Sequence, residues 1–91
     1  MWGSSTLKIN IGLDGFKRSA EEEEIIDKNL ASVFSTQTGK EVLRYLRSIT
    51  IEMVHGPNVA HNELLHSEGQ RYIVGLIERR VANAHRRKVN E

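Results

Sequence analysis

A chain of 91 residues with 38% hydrophobic content and no cysteine has room for one small domain and no second core. It has no disulfide, no thiolate nucleophile and no cysteine-ligated zinc to draw on, so extra stability must come from packing or oligomerisation. Formal net charge is only +1, too little for the whole surface to attract nucleic acid, and no stretch approaches the roughly 20 apolar residues that cross a bilayer.

The charge is unevenly placed. Residues 1–35 carry four Lys/Arg against six Asp/Glu, and residues 36–91 carry nine against six. With no signal-type segment at its start, the chain is expected to be soluble and made in the cytoplasm.

Residues 7–13, Leu-Lys-Ile-Asn-Ile-Gly-Leu, alternate apolar and polar, so an extended chain carries Leu7, Ile9, Ile11 and Leu13 on one face. No other segment reads as a strand. A lone strand leaves its backbone groups unpaired, which predicts strand addition to a partner's sheet, with Trp2 as a further anchor. The alternative is an unpaired terminus. Residues 1–18 are therefore expected to form an extended arm, closed by the turn dipeptide Asp14-Gly15 and the basic step Lys17-Arg18.

Ser19-Ala20-Glu21-Glu22 fits a capping box and predicts a helix over about 20–35, with Glu21 to Glu24 in its first turn as a solvated acidic N-terminus. Ile26, Leu30, Val33 and Phe34 form its apolar face. Ser35 to Gly39 interrupts the pattern. Thr38 with Glu41 offers a second capping box, Thr36 competes as the cap, and a helix is predicted over about 38–53 with Val42, Leu46, Ile49 and Met53 facing inward. The β-branched run Ile49-Thr50-Ile51 weakens that helix locally, and His55-Gly56-Pro57-Asn58 ends it. A third helix is predicted over about 62–87, whose broad face holds Leu65, Gly69, Tyr72, Ile73, Leu76, Ile77, Arg80 and Val81. Gly69 within that stripe suggests close approach of another helix. The fold class is mainly α: a three-helix domain over 19–91 behind an extended N-terminal arm.

Chemistry is hard to find in these residues. His61 and His66 stand five apart, about 140° around a helix, so they cannot share a metal ion, and no metal or cofactor is expected from the four histidines. There is no nucleophile elbow, phosphate loop or acid/base constellation, and three short helices leave little room for a pocket of several hundred Å3. An enzyme is not expected. The strongest electrostatic feature is basic: Arg79, Arg80, Arg86, Arg87 and Lys88 are candidates for sequence-blind phosphate contacts, although basic residues are also favoured at any helix C-terminus. Glu68 and Arg71 form an i,i+3 pair that would set register if another element covered it.

Val33-Phe34-Ser35-Thr36, the segment Gly39-Lys40-x-Val42-Leu43-x-Tyr45-Leu46, and Glu68-Gly69-Gln70-Arg71 leading into Ile73-Val74-x-Leu76-Ile77 resemble short tailed-bacteriophage proteins encoded among portal and head-assembly genes. The resemblance spans about residues 30–82 and leaves out the arm. It implies a small helical protein of the phage particle, located in the virion and in the host cytoplasm during assembly. Gly39, Glu68, Gly69 and Arg71 would then serve fold and subunit contact. The implied function is a multi-copy structural component at the portal vertex, either ring- or adaptor-like or internal to the head. The implied partners are the portal or neighbouring virion proteins and further copies in cyclic symmetry. The alternative is a sequence-independent DNA-binding accessory of packaging or ejection.

Overall fold

The computed structural model describes residues 9–90. It contains two short strands, β1 (Ile9–Ile11) and β2 (Lys17–Ser19), then α1 (Ala20–Phe34), α2 (Gln37–Ser48) and α3 (His61–Asn90). The mainly helical expectation with three helices is met. The solitary strand is not: β1 pairs antiparallel with β2 in the register Ile9↔Ser19, Asn10↔Arg18 and Ile11↔Lys17. Alternation could not reveal β2, because Lys17-Arg18-Ser19 carries no apolar residue and reads as a basic linker. The turn between the strands was legible. Gly15 takes a φ of 88°, the left-handed region glycine tolerates, and the Asp14 carboxylate accepts from the Phe16 amide at 3.0 Å.

Ser19 ends β2 and caps α1 at once. Its hydroxyl accepts from the Glu22 amide at 3.1 Å, and the Glu22 carboxylate accepts from the Ser19 amide at 3.0 Å, which completes the expected capping box. The same bond from the Ser19 amide holds the Glu22 carboxyl below its ordinary pKa.

The corner between α1 and α2 is tight. Thr36, not Thr38, is the cap: it accepts from the Gly39 amide at 2.9 Å and donates to the Val33 carbonyl at 3.0 Å. Gly39 is buried there. A Cβ at this position would fall onto the Val33 carbonyl oxygen and lie 2.7 Å from the Phe34 Cα, so the approach of the two helices requires glycine.

α2 stops at Ser48, five residues short of the expected Met53. The hydroxyls of Ser48 and Thr50 donate back to the carbonyls of Tyr45 and Leu46, and the β-branched Ile49-Thr50-Ile51 run follows, so the chain leaves the helix through turns.

α3 runs 30 residues, about 45 Å, and is the spine of the molecule. α1 packs along its C-terminal half in the same direction, with Glu23 and Asp27 against Arg80 and Ser35 against His85. α2 runs antiparallel to it, with Arg47 against Glu78 and the Thr50 carbonyl against Arg71. Among the described residues the only fully buried large hydrophobic side chain is Val74, at 5% exposure, whereas Arg80 at 2% and Asp27 at 1% are deeper. The interior of this fold is charged.

Candidate functional site

The charged interior lies where the hairpin, α1 and the C-terminal half of α3 meet. Arg80 Nη1 donates to Asp27 Oδ1 at 2.9 Å, and Arg87 Nη1 donates to Asp27 Oδ2 at 2.5 Å, so one buried carboxylate bridges two turns of α3. The second amino group of Arg80 faces Glu23 at 3.0 Å and Asp14 at 3.6 Å as charge contacts without hydrogen-bond alignment. Arg18 completes the cluster, reaching Asp14 at 2.8 Å and Glu23 at 3.0 Å. Three arginines thus meet three carboxylates. Burial alone would lower the Arg80 pKa, but the hydrogen bond to Asp27 and the charge of Glu23 beside it outweigh burial and the net direction is upward. The Arg18 guanidinium, aided by the Phe16 amide, holds the Asp14 carboxyl down at about 2, and Arg18 is raised in return.

This arrangement corrects two readings of the sequence. The segment before α1 is tied down where it is described: Asp14 and Arg18 are wired to α1 and α3, and the Tyr72 hydroxyl donates to the Leu13 carbonyl at 3.2 Å. Arg80 is also withdrawn from any phosphate-binding role, because it is enclosed by carboxylates, and Arg87 is partly withdrawn by Asp27. Arg79, Arg86 and Lys88 remain exposed. Arg79, Asn83 and Arg86 fall on one stripe of α3, and Arg86 donates to the Asn83 side-chain oxygen.

Of the proposed arm residues, Trp2 and Leu7 lie outside the described residues. Ile9 enters β1, Ile11 is exposed, and Leu13 is half-buried against α3 beside Tyr72, Gly75 and Leu76.

The other end of the molecule has the opposite character. Val42, Ile49 and Met53, expected to face inward, are each roughly half exposed, and so are Leu65 and Ile73 on the facing half of α3. Between them runs an open groove of about 650 Å3, larger than three helices were expected to leave, lined by Leu46, Ile49, Leu65, Ile73 and Val74 with Gly69 on its wall. Among the described residues no helix approaches Gly69: a Cβ there would meet nothing within 4 Å. The groove lies beside the exit of the short α2, which Arg71 ties to α3 by donating to the carbonyls of Thr50, at 3.1 Å, and Met53, while Glu68 holds its remaining nitrogen at 2.9 Å. Arg47 acts as a second tie, bonded to Glu78 at 2.6 Å and Glu52 at 3.1 Å, and the Glu78 bond is the main reason its pKa is raised.

The histidines are dispersed. His55 pairs with Ser67 at 2.7 Å, His66 with Gln70 at 3.2 Å and His85 with Ser35 at 3.0 Å, and among the described residues no three His, Asp or Glu side chains converge as metal ligands.

Sequence reasoning missed both the charge cluster and the exposed stripe. The signal for the first was available, since Arg80 falls on the broad inner face of α3 and Asp27 follows Ile26 on α1. The second had no local signal, because an uncovered amphipathic stripe has the same pattern as a covered one.

Comparison with known proteins gives one match: the model of the Bbp19-like phage protein family covers residues 30–90, from the last turns of α1 to the end of α3. It reaches further than the resemblance read from the sequence and likewise leaves out the hairpin. No curated protein and no solved structure matches.

Proposed function

The chain belongs to the Bbp19-like phage protein family, and from that premise we propose that it is a structural component of a tailed-phage virion, a small multi-copy protein bound at the portal vertex. It works by binding and carries out no chemistry. The observation that carries this reading is the apolar stripe of α2 and the first half of α3, which this chain leaves open to water although it buries a guanidinium elsewhere. A soluble monomer has reason to cover such a stripe, and a subunit has reason to offer it. Ring- or adaptor-like placement, or a place inside the head beside the DNA path, follows from the same need for neighbours, namely portal or adjacent virion proteins and further copies of this chain.

Quantitative mass spectrometry of purified particles tests the reading. A fixed number of copies per particle, well below that of the shell protein, supports it, and absence from particles overturns it.

The DNA-binding alternative rests on the exposed stripe of Arg79 and Arg86 with Lys88 nearby. With Arg80 and Arg87 engaged by Asp27, few cations remain, so a shallow salt dependence is expected, on the order of two or three counterions released. Gel shifts over a salt series separate the readings: tight binding with a steep salt slope would favour the accessory role.

A further inference from the structure

We propose that the groove between α2 and α3 is filled by a second copy of this chain, with the two α3 helices crossing antiparallel about a two-fold axis at Gly69. This rests on the reading of the chain as an oligomeric virion subunit and names one self-contact, a closed isologous pair distinct from the head-to-tail contacts that would build a ring.

Three observations select this occupant. The first is the shape of the ridge. Leu65, Gly69 and Ile73 are spaced by four and form an i±4 row on α3, with side chains more than half exposed on either side of a glycine. Two such rows interdigitate at close range, and the missing Cβ at the crossing point is what lets two backbones meet. Among the described residues nothing uses that gap, because a Cβ at Gly69 would touch nothing. A helix-interior glycine costs on the order of 1 kcal/mol relative to alanine, and Gly69, unlike the equally open Gly75 between Arg71 and Arg79, has an exposed aliphatic side chain four positions away on either side.

The second observation is self-complementarity. A two-fold at residue 69 places Leu65 of one copy against Ile73 of the other, and the reverse on the far side of the axis, so apolar meets apolar twice. Groups close to an isologous axis face their own copies, where like charges would repel. The groove lining contains no Lys, Arg, Asp or Glu; its polar members are Thr50, His66 and Gln70, the last beside Gly69. A foreign partner would need no such neutrality at that point.

The third is area. Val42, Tyr45, Ile49, Met53, Leu65 and Ile73 are each about half exposed. At about 100 Å2 apiece they leave on the order of 600 Å2 of apolar surface per chain, close to the roughly 800 Å2 per partner that a standard interface covers.

The test uses the full chain. Sedimentation velocity from about 1 to about 100 µM is expected to show a species of twice the 10.4 kDa chain mass. Gly69→Glu sets two carboxylates together on the axis and is expected to weaken association at least about 100-fold while leaving the helical circular dichroism unchanged, since the side chain meets nothing in its own chain. Gly75→Ala, on another face and equally open, is expected to leave association unchanged.

The chain has no cysteine, so register can be read directly: Leu65→Cys mixed with Ile73→Cys is expected to cross-link under mild oxidation, and each alone far less. A wild type that stays monomeric across this range, a dimer indifferent to Gly69→Glu, or Leu65→Cys that links to itself as readily as to Ile73→Cys would each overturn the contact. A chain present in particles yet monomeric in solution overturns this contact and not the virion reading, and a dimer absent from particles does the reverse.

Discussion

The two ends of α3 are built on opposite principles. Around Arg80 the chain sets three arginines against three carboxylates, with Arg80 and Asp27 fully buried, and joins the hairpin, α1 and α3. Around Gly69 it leaves aliphatic side chains in water and fixes the exit of α2 to α3 through Arg71. Burying charge is a poor source of net stability, because desolvation cancels most of the attraction, but it is exacting about geometry. The C-terminal half of α3 thus fixes one shape, and the N-terminal half leaves open the apolar face proposed above to meet a second copy. A monomer built for solubility would have reversed the two.

The hardest way to break this contrast is at its charged end. Arg80→Ala leaves the buried Asp27 with Arg87 as its one remaining cation and the part-buried Glu23 with Arg18, and is expected to cost about 2–4 kcal/mol in urea unfolding. Replacing both partners, Arg80→Met with Asp27→Leu, is expected to cost clearly less than the sum of the single changes. A melt of Arg80→Ala within about 1 kcal/mol of wild type would show that the hairpin end is not held by charge. Gly39→Ala comes next, at about 1–3 kcal/mol, because the α1–α2 corner must open to admit the methyl group.

These residues also show how far the sequence could be read. Gly39 was singled out from its motif, and the capping box of Ser19 and Glu22 was assigned atom for atom, because both are local arrangements that a few neighbouring residues determine. The helices were placed to within a few residues except at the end of α2, where the two hydroxyls that bond backwards and the β-branched run outcompete an apolar stripe that continues to Met53. Arg80 reads both as part of the broad face of α3 and as a candidate phosphate contact, and residue spacing alone does not choose between the two. The carboxylates that enclose it stand more than 50 positions away, or on a hairpin whose second strand has no apolar residue. Which face would remain uncovered was not legible at all, since it depends on how far α2 leans from α3.

Arg71 governs that lean. Arg71→Met keeps the aliphatic stem and removes the donors to the Thr50 and Met53 carbonyls, so a loss of about 1–2 kcal/mol is expected, with faster hydrogen exchange confined to residues 49–54. Acid acts on the other end. The Asp14 pKa is depressed to about 2, so its contribution is fully present above the ordinary carboxylate value near 4 and is lost as pH falls from there towards about 2. Glu22, also depressed, adds in the same direction. Unfolding followed from pH 5 downward is expected to show this decline in wild type and a shallower one in Asp14→Asn; identical slopes would remove Asp14 from the cluster's energetics.

The smallest expected effect sharpens the contrast most. Glu68 is more than half exposed and pairs with Arg71 across one turn of α3, an arrangement worth only a few tenths of a kcal/mol in water. In the isolated chain Glu68→Ala is therefore expected to be nearly silent, because Arg71 keeps both backbone carbonyls. Glu68 adjoins Gly69, however, and a second α3 crossing there would bring Gln70 of the partner over it and exclude water from the ion pair. The same substitution measured at high protein concentration is then expected to cost noticeably more than at low concentration, with added salt narrowing the gap. Equal costs at both concentrations would mean that the pair stays wet, and that the adhesive face is centred elsewhere on the stripe.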